Sequence, residues 1–170
     1  MKWLAAILVV LGLAAPCGAQ TVDLFRTNPL QYFAGGKTSH WVGNGLFFQV
    51  NYSDTLQFAP DSSGKGLAIR RVLVNADKGA AISRGSGQVM PVAGDSIYAV
   101  RWTEKSYPSV NGLMRWQEGQ WVVSFDGEWK EWSIRVRPDA PGTLVAGLAR
   151  MIPGFRPVEL STMTYRAVGK

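Results

Sequence analysis

From Ser39 to the C-terminus, apolar positions recur with a period of two rather than 3.6, the signature of half-buried strands. Along Ser39–Tyr52, Val42, Leu46, Phe48, Val50 and Tyr52 share one face. Trp41, Gly43, Gly45, Phe47, Gln49 and Asn51 share the other. This stretch is read as one long first strand, with the paired glycines marking a bend or a close backbone approach. Further strand patterns run over Thr55–Ala59, Leu67–Val74, Ala81–Val92, Ile97–Thr103, Leu113–Gln117, Trp121–Phe125, Trp129–Val136 and Val158–Ala167, while Leu144–Met151 fits a strand or a helical turn. Between them lie turn signals such as Asp77-Lys78-Gly79, Glu118-Gly119, Asp126-Gly127 and Pro141-Gly142. The one helical signal is short: Asn28 as a cap, Pro29 at the first helical position, and Gly35-Gly36 as the stop. The pattern predicts an all-β fold, an antiparallel up-and-down β-barrel of about eight to ten strands with a short N-terminal helical turn.

The first segment reads differently. Met1-Lys2-Trp3 is a short positive start, Leu4–Leu13 an apolar run, and Ala14–Ala19 a break followed by small residues. That is the layout of a signal peptide, with cleavage after Ala19, so residues 1–19 are assigned to the leader and 20–170 to a single barrel domain. The run is too short for a comfortable membrane span, and nothing later reaches the length of one. Lipidation of Cys17 is the competing reading of this segment, although Pro16 directly before it departs from the usual lipoprotein pattern. Cleavage after Ala19 leaves a chain without cysteine, which suits the periplasm or a secreted state and excludes a disulfide scaffold.

Composition and charge narrow the classes. With 46% hydrophobic residues, 7 Trp and 7 Phe, the chain can bury a core and is not disordered. The net charge is +6, and loss of Lys2 with the leader brings it to +5. The basic residues are scattered, so the charge points to an anionic envelope lipid, glycan or small ligand rather than to nucleic acid.

Pro29-Leu30-Gln31-Tyr32-Phe33-Ala34-Gly35, followed by Trp41-Val42-Gly43-Asn44-Gly45, resembles the opening of the calycin superfamily, the lipocalin-like barrels. Here the glycines follow the tryptophan instead of preceding it. Arg150–Tyr165 is similar to the tail of small bacterial lipocalin-like exported proteins. The resemblance implies a barrel that closes one end with the helical turn and holds a hydrophobic ligand.

Candidate chemistry is sparse. The single histidine, His40, has no carboxylate near it in sequence, so neither a zinc site nor a cofactor is read from it. Ser86 is not in a nucleophile elbow, and Gly64-Lys65 lacks the rest of a phosphate loop. Glu128-Trp129-Lys130-Glu131-Trp132 has the composition of a glycan site, but in a strand its two carboxylates would face opposite sides. No catalytic residue and no metal ligand is assigned, and the chain is read as a non-enzyme. The expected function is an exported binding protein with a small lipophilic or amphipathic ligand in the barrel. Val42, Leu46, Phe48 and Val50 are expected to line the cavity with Trp102 and Trp121, and Arg101 to anchor an acidic group. The alternative is a filled barrel whose outer surface binds envelope glycan or lipid.

Overall fold

The computed structural model describes residues 23–47, 50–93, 96–105 and 107–168. The leader assignment, the cut before Gln20 and the expected cavity residue Phe48 lie outside the described residues. A helical turn at residues 23–27 leads into helix α1 (Pro29–Ala34). The capping chemistry is the expected one. Asn28 accepts a hydrogen bond from the Gln31 amide at 3.0 Å, and Gly35 ends the helix in the left-handed region at φ 57°.

Ten strands follow: β1 (Ser39–Phe47), β2 (Val50–Pro60), β3 (Leu67–Asn75), β4 (Ala80–Ala93), β5 (Ile97–Glu104), β6 (Tyr107–Gln117), β7 (Gln120–Phe125), β8 (Trp132–Ala140), β9 (Thr143–Arg150) and β10 (Val158–Val168). Each pairs antiparallel with its sequence neighbours, and β1 closes the barrel against β10. The all-β up-and-down barrel read from the sequence is therefore the fold, at ten strands. Closure leaves no exposed sheet edge. Among the described residues, no helix is long and apolar enough to cross a membrane.

Two sequence expectations change. Ser39–Tyr52 is two strands, not one: Phe47 pairs with Val50 and the chain reverses between them. The reversal switches which parity faces inward. Trp41, Gly43 and Gly45 of β1 line up with Leu56, Asp54 and Tyr52 of β2 on the inner face. The run of even-numbered apolar residues thus joined the outer face of β1 to the inner face of β2. Trp129 also lies before its strand, in a short 3-10 turn at Gly127–Trp129. The Leu144–Met151 ambiguity resolves as a strand, β9.

The connections β2–β3, β4–β5, β6–β7 and β8–β9 gather at one end of the barrel. The β6–β7 turn is Glu118-Gly119, with φ of 48° and 81°, a two-residue hairpin of the kind that matches strand twist. The N-terminal segment plugs this end. Phe25 is fully buried and meets Tyr32, Phe33 and Trp116 edge-on. Phe33 stacks on Phe58 with ring centroids 4.7 Å apart. The buried Trp121 indole donates to the Phe25 carbonyl at 2.7 Å, and the Trp41 indole donates to the Phe33 carbonyl at 3.5 Å. Two indoles that each need an acceptor thus fix the plug to the wall. The other end carries no such plug among the described residues, and its rim includes the exposed apolar residues Leu46, Ile82, Met151, Ile152 and Phe155.

Candidate functional site

Above the plug lies a cavity of about 390 Å³. Its floor is Phe33, Trp41 and Phe58, and its walls are chiefly aliphatic and aromatic, including Leu56, Ile69, Leu73, Val100, Val123, Phe125, Ile134 and Met163. That volume and lining are typical of sites for small lipophilic molecules. Among the described lining residues, only Asp54 and Arg71 carry formal charge.

These two belong to a polar row that runs across the inner face. Asp54 is fully buried, and its Oδ2 accepts from Arg71 Nε and from the Tyr165 hydroxyl, each at 2.8 Å. Arg71 Nη1 lies 3.6 Å from Glu104 Oε1, which also accepts from the Trp102 indole at 3.3 Å. Each carboxylate therefore has one aromatic donor, with the guanidinium between them. Strand register makes the row. Gly43 sits between Tyr165 and Asp54, and Gly85 between Arg71 and Glu104.

The glycines are notches for the aromatics. A Cβ on Gly43 would come within 2.5 Å of the Tyr165 ring. A Cβ on Gly85 or Gly87 would come within 2.4 or 2.5 Å of the Trp102 ring. Both rings lie flat against bare backbone, which leaves the interior open and aims each donor at its carboxylate. Gly45 does the same for Met163 and the Thr162 carbonyl.

Burial, and after it the Asp54 carboxylate, pushes the Tyr165 phenol well above its ordinary value of 10.0. Arg71 opposes this without cancelling it. Tyr165 is thus a fixed donor at physiological pH. A folded value above the unfolded one stabilises fully below about pH 10, and that contribution drains away as pH rises beyond it. Buried Tyr32 adds a shift of the same sign. Urea denaturation at about pH 9 and about pH 11 should show a steeper loss for the wild type than for Tyr165→Phe. Equal losses would remove Tyr165 from the account.

The structure distributes the expected cavity residues as follows. Trp102 lines the cavity, and Leu46 reaches its mouth while remaining 56% exposed. Val42 lies on the outer face, where it pairs with the exposed Thr55 and Arg166. Val50 stands at the β1–β2 reversal, outside the lining. Trp121 is in the plugged end, bonded to Phe25 rather than facing the cavity. Arg101 is corrected outright: it is exposed on the outer face, between Gln88 and Asn111, because its neighbours Val100 and Trp102 take the inner positions. The interior arginine is Arg71. His40 is exposed at the start of β1. Among the described residues, no cluster of three His, Cys, Asp or Glu side chains is suited to a metal ion.

This barrel resembles Rv2717c from M. tuberculosis. The crystal structure of that protein matches with a TM-score of 0.58 and 12% identity, over 86% of this chain and 97% of the other. At that identity the likeness extends to the fold. No protein-family model matches the chain, and no curated protein does.

Proposed function

We propose that this protein is an exported carrier that holds a small lipophilic or amphipathic molecule inside its barrel. One observation carries the reading: a cavity of about 390 Å³ with apolar walls, plugged at one end by the N-terminal segment. A barrel built only as a scaffold gains by filling its interior, because unfilled apolar space costs packing. This barrel instead uses four inward glycines, Gly43, Gly45, Gly85 and Gly87, where side chains would narrow the space. Export rests on Met1–Ala19, whose charge, apolar run and small-residue break match a cleaved leader. The barrel is read as a binding protein and not as an enzyme, since the interior groups are engaged in ion pairs and hydrogen bonds with one another.

The test has two parts. Native mass spectrometry of protein purified from its host compartment should show a retained small molecule. Protein stripped of it should bind an apolar fluorescent probe one to one, with a change in tryptophan emission from Trp102 and Trp41, which line the cavity. A protein that retains nothing, takes up no probe and binds lipid vesicles would favour the surface-acting alternative. The exposed rim residues Met151, Ile152 and Phe155 are the group that alternative would use.

A further inference from the structure

The polar row leaves hydrogen-bond donors facing the cavity. A guanidinium carries five N–H groups and no acceptor. In Arg71, Nε–H donates to Asp54 Oδ2 at 2.8 Å, and the side chain makes no other hydrogen bond among the described residues. Nη1 stands 3.6 Å from Glu104 Oε1, close enough for an ion pair and too far for a hydrogen bond. The N–H groups of both terminal nitrogens are therefore unmatched by the wall. They are also within a ligand's reach. Arg71 lines the cavity, and its side chain is 26% exposed. Neither terminal nitrogen is enclosed in the way that Asp54 Oδ1 is, a buried atom without a partner. The acceptors of the row are out of reach, since Asp54 is fully buried and Glu104 is not part of the lining. A molecule in this cavity thus meets the row through the donors of Arg71.

We infer that the head group recognised here is a neutral hydrogen-bond acceptor, a carbonyl such as that of an ester or ketone on an aliphatic body. The inference rests on the carrier reading above and names its ligand class. A carbonyl oxygen accepts from a terminal N–H and brings no charge into a wall that is chiefly apolar. A carboxylate would accept from the same groups, but it would be the third anion around one guanidinium in a water-poor space. An ammonium would set donors against donors, and the carboxylates that could receive it are buried or off the lining. An interior arginine was expected to take its anion from the ligand. Here Asp54 supplies that anion within the wall.

The experiment is displacement of a bound apolar probe by methyl octanoate, nonanoate and nonylamine, which have equal carbon counts and differ in the head. At about pH 7 the acid is ionised and the amine protonated. Methyl octanoate should bind about tenfold or more tighter than either, the low end for a hydrogen bond to a charged group. The infrared stretch of its isotope-labelled carbonyl should fall below its value in hexane, because a donated hydrogen bond weakens the C=O bond. In Arg71→Lys, which keeps a cation beside Asp54 and removes the planar fork, that stretch should rise toward the hexane value. Tightest binding by nonanoate would overturn the inference in favour of Arg71 as an anion anchor, and tightest binding by nonylamine in favour of a ligand that reaches the carboxylates. Equal affinities, or a wild-type carbonyl that absorbs as in hexane, would overturn it and leave the carrier reading standing. A lowered stretch that persists unchanged in Arg71→Lys would place the donor elsewhere and overturn it too. Failure of the probe and of all three compounds to bind would remove the carrier reading as well. If Arg71→Lys does not fold, the wild-type ranking and carbonyl stretch decide.

Discussion

Arg71→Met is expected to lower the stability of the barrel by about 3–5 kcal/mol, the range for removing one partner of a buried ion pair. Against a total of about 5–15 kcal/mol for a domain, that is a large share. The reason lies with the partner left behind. Asp54 has no solvent access, and its Oδ2 is held by Arg71 Nε and Tyr165 alone, each at 2.8 Å. Without the guanidinium, a buried carboxylate keeps one phenol donor, and its Oδ1 is already unpartnered. The deficit should therefore belong to the orphaned charge and not to the lost arginine as such. Adding Asp54→Asn to Arg71→Met should recover a substantial part of it, and Asp54→Asn alone should also destabilise. Guanidinium denaturation of the four proteins closes a double-mutant cycle. A loss under about 1 kcal/mol for Arg71→Met, the level of an exposed pair, would mean the row is solvated in solution. A double variant no better than the single would place the defect in packing.

The sequence made this row harder to read than the barrel around it. Alternation and turn residues are local signals, and an antiparallel barrel of about eight to ten strands follows from them. A face assignment depends on where each strand begins. The reversal lies between the paired Phe47 and Val50, and the intervening sequence, Phe48-Gln49, contains no Gly, Pro, Asn or Asp to mark a turn. One strand was therefore read through to Tyr52, and Asp54 fell in the gap before Thr55. With the break at the right place, Tyr52, Asp54, Leu56 and Phe58 share a parity, and so do Leu67, Ile69, Arg71 and Leu73. A lone acid and a lone base, each on an apolar strand face, are then legible as partners. The same slip put Trp41 outside, whereas Arg101 was placed inside because Ile97 and Ala99 share its strand face.

The two Gly-x-Gly pairs held a second signal. Gly43-Asn44-Gly45 was expected to mark a bend or a close approach, and close approach is its role. Gly85-Ser86-Gly87 falls inside the strand pattern Ala81–Val92, and in the structure it lies within β4 under Trp102. Which aromatic fills a notch depends on the neighbouring strand's register, and for Gly43 the neighbour is β10, at the far end of the chain. No local pattern carries that information. The paired glycines themselves did point to two places where the wall is built thin for a large ring.

Trp121→Ala is expected to cost about 3–5 kcal/mol and to loosen the plugged end of the barrel. Trp121 is 1% exposed, and its ring meets Tyr98 and Trp116 edge-on with centroids 5.4 Å away in each case. Its indole N–H is the buried hydrogen bond to the Phe25 carbonyl, at 2.7 Å. Phe25 in turn packs on Trp116, so a single side chain joins β7, β6 and the N-terminal segment. Truncation removes the ring contacts and leaves the Phe25 carbonyl without its buried donor. Trp121→Phe separates the two effects, because it keeps an aromatic ring and loses the donor. It should cost about 1–3 kcal/mol, the range for an unsatisfied buried acceptor. Hydrogen exchange gives the spatial readout. In Trp121→Phe, the amides of residues 23–34 should exchange faster, while those in the centre of β8 and β9 keep their protection. Faster exchange throughout the barrel would mean that Trp121 supports the wall as a whole. Unchanged exchange at residues 23–34, with Trp121→Ala costing under about 1 kcal/mol, would mean that Phe33 on Phe58 and Trp41 on the Phe33 carbonyl hold the plug without it.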